Sequence, residues 1–406
     1  MRTSQVADRL APFGTTIFTE MTRLSMQHGA VNLAQGFPDF DGPELAKEAA
    51  IAAIQAGRNQ YARMLGDPAL NAAIATRWLR STGMAIDPDT QVTVTSGCTE
   101  AIPATILGLI NPGETVVLFE PFYDSYRACI SMAGAKARFV TLRASANGGS
   151  SGGGEGAFTF DEAELRKVMA EKPRAILLNT PHNPTGKVFT RQELELIAKL
   201  CIEFDVLAIT DEVYSELIYE PHLPHISLAS LPGMADRTVT LNSLGKSYSL
   251  TGWKIGWAIA SPELTKGVRA AHQFLTFATC TPMQLGAAKI LLEGDAYVRG
   301  LVAEYRTKRD TLAHALRDLG MGVYVPAGSY FIMADHSALH AELGLDDDVA
   351  FCRYLTEHVK VAAIPPSVFY DNPAHGRTLA RFAFCKKDQT LKEAISRLGK
   401  LREKRR

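Results

Sequence analysis

Arg174-Ala175-Ile176-Leu177-Leu178-Asn179, the turn Thr180-Pro181-His182-Asn183-Pro184-Thr185-Gly186, the amphipathic run Arg191 to Phe204 and then Val206 to Thr210 together read as strand, turn, helix and strand. Short apolar strands without polar alternation are buried on both faces, which is the pattern of a mostly parallel sheet covered by helices. The same alternation extends outward from this unit. Upstream lie helical patterns at Glu44 to Gln55 and Asp67 to Ser81 and strand patterns at Gln91 to Thr95, Thr115 to Phe119 and Ala137 to Leu142; downstream lies Thr238 to Asn242. An α/β fold follows, with a large domain over residues 44–290 built on a mostly parallel central sheet.

Beyond it, a long helical pattern (Tyr297 to Leu319) precedes strand patterns at Gly322 to Pro326 and Tyr330 to Asp335, a helix near Asp347 to His358, and Val361 to Ile364. These imply a smaller α+β domain over residues 291–406. Residues 1–43 are too few for a core of their own and are expected to pack on it as an N-terminal arm. The glycine-rich stretch Asn147 to Gly156 lacks a following helix start or lysine, so it is a surface loop rather than a phosphate cradle. No internal repeat is present.

The 406 residues are 46% hydrophobic and 21% charged, with Lys+Arg and Asp+Glu both 43. No net field recommends nucleic acid or an acidic membrane as partner. Six scattered cysteines with no C-x-x-C, and no signal-like or membrane-length apolar run, fit a reducing cytoplasm. His222 and His225 are separated from a metal-binding helix by Pro221 and Pro224, and no metal is expected.

Ligands of open α/β sheets bind at the carboxyl ends of strands. Three residues arrive there by separate strands: Asn183, Asp211 and Lys246. Taken singly, Asn183 belongs to a good turn, Asp211 could cap one, and Lys246 could be solvated on the loop Ser243-Leu244-Gly245-Lys246. Taken jointly they describe a pyridoxal phosphate site: a lysine for the Schiff base, a carboxylate for the pyridine nitrogen, and Asn183 with Tyr214 for the ring oxygen. Ser96-Gly97-Cys98-Thr99-Glu100 ends a strand and opens a helix, so the free N–H groups of Gly97, Cys98 and Thr99 suit the phosphate, with Ser243 and Lys254 adding a hydroxyl and a charge.

Asn179-Thr180-Pro181-His182-Asn183-Pro184-Thr185-Gly186-Lys187, Thr210-Asp211-Glu212-Val213-Tyr214 and the segment from Ser243 through Lys246 to Thr251-Gly252-Trp253-Lys254 resemble the fold type I, class I/II aminotransferases. Asn32 to Phe40, Asn59-Gln60-Tyr61, Glu120-Pro121-Phe122-Tyr123-Asp124 and Gly328-Ser329-Tyr330-Phe331 resemble the kynurenine aminotransferase/glutamine transaminase K branch. Gly14 to Thr19 and His272 to Phe277 are closer to bacterial methionine aminotransferases. The resemblance implies further roles: Arg381 and the Gly36 backbone on the substrate carboxylate, Tyr123 stacked on the cofactor ring, and Tyr61 reaching the phosphate of the neighbouring subunit of a homodimer. Phe18, Tyr61 and Phe277 would wall the side-chain pocket. An aromatic pocket without a second arginine favours methionine, aromatic or other large neutral donors over aspartate or glutamate.

The implied activity is a ping-pong transamination from an L-amino acid to a 2-oxo acid through a Lys246 Schiff base, with Lys246, Asp211 and Tyr214 as catalytic residues. A carbon–sulfur β-lyase, which uses the same fold and lysine, is the alternative. A transcription regulator on the same scaffold would carry a DNA-binding module ahead of Gln35-Gly36, where only about 30 residues and no basic recognition helix stand.

Overall fold

In a computed structural model of the chain, which describes residues 6–144 and 158–403, Val116 and Leu118 enter one apolar core while Val117 and Phe119 enter another on the opposite face of the same strand. That two-sided burial is what continuous apolar strands require. The strand is one of seven in a central sheet. In chain order these are β1 (Val92–Ser96), β2 (Thr115–Glu120), β3 (Lys136–Thr141), β4 (Ala175–Asn179), β5 (Leu207–Asp211), β6 (Thr238–Ser243) and β7 (Ile255–Ile259). Their spatial order is β1-β7-β6-β5-β4-β2-β3. Pairing is parallel from β6 through β5, β4 and β2 to β3, whereas β7 runs antiparallel between β1 and β6.

The six strand patterns read from the sequence match β1 to β6 to within a residue or two at each end. Strand β7 was not anticipated. It has a physical consequence: because β7 is reversed, its first residue, Ile255, lies at the same rim as the carboxyl ends of the other strands. One further expectation is corrected: Lys246 lies not on a loop but in a one-turn helix, Leu244–Ser247, whereas Asp211 closes β5 as its last residue.

The helix Arg191–Glu203 between β4 and β5 starts at a capping box, with the Thr190 side chain accepting from the Glu193 backbone N–H and the Glu193 side chain from that of Thr190. Downstream, a second sheet contains β8 (Gly322–Tyr324), β9 (Phe331–Asp335) and β10 (Leu379–Ala383), with β9 in the middle. Near the N-terminus, Val31–Asn32 pairs in parallel with Val361–Ala362, which ties the first helix, Ile17–His28, to the C-terminal part of the chain. The glycine-rich stretch 147–156 lies outside the described residues. Among those described, no helix is long and apolar enough to cross a membrane.

The helices Cys98–Leu109 and Pro262–Leu275 cross backbone to backbone at Gly108 and Gly267. A Cβ on Gly108 would stand 2.1 Å from the Gly267 carbonyl oxygen, and backbone cannot give way as a flexible side chain can. Gly108→Ala is therefore expected to cost about 1–3 kcal/mol of stability. It should appear as a lower urea midpoint at unchanged slope; an unchanged midpoint would show that the crossing relaxes freely.

Candidate active site

The carboxyl ends of β1, β4, β5 and β6, with the start of β7, surround a cavity of about 440 Å³. All the site residues expected from the sequence line it except Tyr61 and Phe277. Those two stand outside: Tyr61 is 85% and Phe277 37% exposed, and their rings meet edge to face at 5.6 Å. Phe277 is also held at φ +66°, a left-handed conformation uncommon for an aromatic residue.

Asp211 is buried on the cavity floor. Its Oδ2 accepts a hydrogen bond from the Tyr126 hydroxyl at 2.7 Å, and its Oδ1 accepts from the Val213 N–H at 3.3 Å. Burial pushes the carboxyl above its ordinary range, while these two donors and the charge of Lys246 pull it back. The Asp211 carbonyl is fixed separately, by the Asn179 amide at 2.8 Å and the Thr180 N–H at 3.1 Å. Lys246 faces the same space with no ion pair or hydrogen bond from its Nζ among the described residues, 5.9 Å over the Tyr330 ring. Burial lowers its ammonium below the usual lysine range, the condition in which an amine becomes a nucleophile or base.

Arg381, in β10, is 1% exposed yet faces no carboxylate within ion-pair distance. Its Nη1 donates to Asn183 Oδ1 at 3.0 Å and its Nη2 to the Ala34 carbonyl at 2.8 Å, while its Nε has no partner. The rings of Phe331, Phe18 and Phe369 surround it, the first only 4.1 Å from the guanidinium carbon. Burial brings it down to about 10, so it stays charged at neutral pH. An incoming carboxylate would find a desolvated cation with a free donor. Beside it, the Tyr330 hydroxyl donates to the Gly36 carbonyl at 2.6 Å, and a Cβ on Gly36 would overlap the Phe331 ring at 2.4 Å.

At the other end of the cavity, Gly97 turns at φ +71° into the helix Cys98–Leu109. Lys254, itself at φ +55°, donates to Thr99 Oγ1 at 2.8 Å. Gly256 lies so close beneath this turn that a Cβ there would stand 2.6 Å from the Cys98 nitrogen. The turn is braced from behind by Glu100, which accepts from the Ser96 N–H at 2.6 Å and pairs with His272 Nδ1, whose other nitrogen lies 2.9 Å from the Met64 carbonyl. The Gly97 N–H, expected to be free, is taken by the Thr95 carbonyl at 2.8 Å, so the helix N–H groups of Cys98 and Thr99 beside Lys254 make the anion site.

Among the residues with contacts at the site, Tyr126, Asn179, Tyr330 and Phe331 had no role assigned from the sequence. Tyr126 was open to discovery only as the residue one helical turn beyond Tyr123, whose ring it meets edge to face at 5.5 Å.

Comparison with known proteins agrees with this geometry. The family model for class I and II aminotransferases matches residues 29–398. The structure of N-succinyldiaminopimelate aminotransferase from Mycobacterium tuberculosis superposes with a TM-score of 0.91 at 45% identity, covering 98% of this chain and 100% of that one. A methionine aminotransferase from Escherichia coli superposes with a TM-score of 0.90 at 37% identity, covering 97% and 99%. Mouse kynurenine–oxoglutarate transaminase 3 is 40% identical, over 96% of this chain and 88% of its own.

Lys246 binds its proton less tightly in the fold than an ordinary lysine does at 10.5. At pH below its folded value the buried ammonium therefore costs stability, and the cost disappears as pH rises to 10.5. Lys246→Met should stabilise the cofactor-free protein at pH 7 by about 0.5–2 kcal/mol, with the gain vanishing as pH rises to 10.5. Equal stabilities at pH 7 would mean that the amine is solvated.

Proposed function

Because the chain belongs to the class I and II aminotransferases, enzymes that use pyridoxal phosphate to exchange amino groups between amino acids and 2-oxo acids, we propose that its donor is an L-amino acid with a methionine-like, aromatic or other large neutral side chain. The single observation that carries this reading is the charge pattern of the cavity. Among the described residues Arg381 is the only arginine that lines it, beside the rings of Phe18, Tyr123 and Phe331 and the polar side chains of Gln35 and Asp124. One α-carboxylate is satisfied by that arginine; a second, distal carboxylate meets no further arginine.

The residues also suit the cofactor. A buried carboxylate at Asp211, an amine without a partner at Lys246 and an anion site at residues 98–99 with Lys254 are the donor set a pyridine ring, an aldehyde and a phosphate need. When bound, pyridoxal phosphate supplies a ring that accepts the electron pair left as Cα loses its proton. Lys246 would be the group's covalent attachment point and then the base and acid that moves this proton, a role worth roughly 10²–10⁴-fold. Asp211 holds the ring nitrogen protonated. Asn183, whose Oδ1 is taken by Arg381, is left with its amide donor for the ring oxygen, beside Tyr214. Tyr123 would stack on the ring, and Ser243 and Thr99 would join the phosphate site. Arg381 and the Gly36 backbone orient the substrate carboxylate.

The two halves run in turn: one amino acid leaves as its 2-oxo acid before another oxo acid enters. We further read the working enzyme as a homodimer, in which Tyr61 and Phe277, exposed on their own chain, complete the other subunit's site. Residues 44–290 would form the cofactor domain, with 1–43 and 291–406 as the smaller domain and arm. Six free thiols support a reducing cytoplasm as the setting.

Mixing cofactor-loaded enzyme with L-methionine and no oxo acid should release one equivalent of the 2-oxo acid and no thiol. Release of methanethiol from S-methyl-L-cysteine, whose sulfur sits on Cβ, would assign a carbon–sulfur β-lyase instead. Arg381→Ala should raise KM about 10–100-fold for every amino acid, as expected for charge-assisted bonds of roughly 1.5–3 kcal/mol. An unchanged KM would remove Arg381 from the carboxylate site.

A further inference from the structure

We propose that Tyr126 is a positioning residue of the transfer reaction: its hydroxyl aims the Asp211 carboxylate and keeps a proton shared with the bound ring nitrogen on the ring. This rests on the reading of Asp211 given above. Tyr126 sits in the first turns of the helix Asp124–Met132 and is 3% exposed, against 4% for Asp211. The Tyr126 bond to Oδ2 is 2.7 Å, whereas the Val213 N–H is 3.3 Å from Oδ1 and the third donor to the carboxylate, the Cys98 thiol, is a weak one. The shorter bond therefore dominates the orientation of the carboxylate, whose backbone is independently locked by Asn179.

A second consequence is electronic. Each hydrogen bond donated to a carboxylate lowers its proton affinity. With Tyr126 donating, Asp211 is the weaker base of the two groups that share the ring proton, so the ring stays cationic and accepts electrons. Without it, Asp211 draws the proton toward itself and the ring becomes a poorer acceptor. Substrate binding through Arg381 is untouched, because Arg381 makes its hydrogen bonds to Asn183 and Ala34. The expected signature is thus a slower chemical step at constant substrate affinity.

The test compares Tyr126→Phe and Asp211→Asn with the parent enzyme, each loaded with pyridoxal phosphate. Single-turnover rate constants are measured with L-methionine and with its α-deuterated form, since a rate constant does not depend on how much protein is active. The phenylalanine variant should be slower by about tenfold, with a larger isotope effect and KM within about twofold. Titration of cofactor-free protein with pyridoxal phosphate, read by tryptophan fluorescence, should show weaker binding. A Tyr126→Phe enzyme with the parent rate constant, isotope effect and cofactor affinity, beside a slow Asp211→Asn enzyme, would overturn the role of Tyr126 alone. Were Asp211→Asn also unimpaired, the reading of Asp211 itself would fall, and this proposal with it.

Discussion

A half-buried lysine and a buried aspartate share one cavity without forming an ion pair, and the rest of the site is organised around that arrangement. A buried charge left unpaired is expensive, and a pair in contact would relieve the cost. Here neither group has closed on the other: Asp211 takes its hydrogen bonds from Tyr126 and Val213, and Lys246 stands over the Tyr330 ring. The fold therefore keeps both available to a third party. Arg381 repeats the pattern at the substrate end, where a fully buried guanidinium with an unpartnered Nε is held by neutral oxygens and aromatic faces.

Such an arrangement persists only if the surrounding backbone cannot collapse onto it. Three devices supply that rigidity. The strands that deliver Asn179, Asp211 and Ser243 are packed on both faces. The Glu100–His272 pair and the Met64 carbonyl brace the turn at Gly97 from behind. Gly256 lets β7 approach that turn more closely than any side chain would permit, which sets Lys254 beside Thr99. The reversed direction of β7 matters here, since a parallel strand would have presented its far end to the cavity.

Much of this was legible in the sequence because the strands are short, apolar and each bounded by a turn, and because one side of such a sheet collects the residues that follow its strands. That rule alone brought Asn183, Asp211 and Lys246 together. It failed where local pattern is silent. Ile255-Gly256-Trp257-Ala258-Ile259 follows directly on a glycine-containing motif and was not separated from it, and a four-residue helix at Leu244–Ser247 is too short to show a period. Arg381 could be reached only by resemblance, since its partners Asn183 and Ala34 lie 198 and 347 residues away. Tyr126 looks like any core aromatic until its hydroxyl is seen against Asp211.

The central claim is that Lys246, and not the neighbouring Lys254, is the amine that carries the cofactor. Reducing the loaded enzyme with borohydride and mapping the fixed adduct by peptide mass spectrometry tests it most directly. The account predicts a single modified peptide with the added mass on Lys246, lost in Lys246→Ala; an adduct on Lys254, or one that survives the Lys246 substitution, would contradict it.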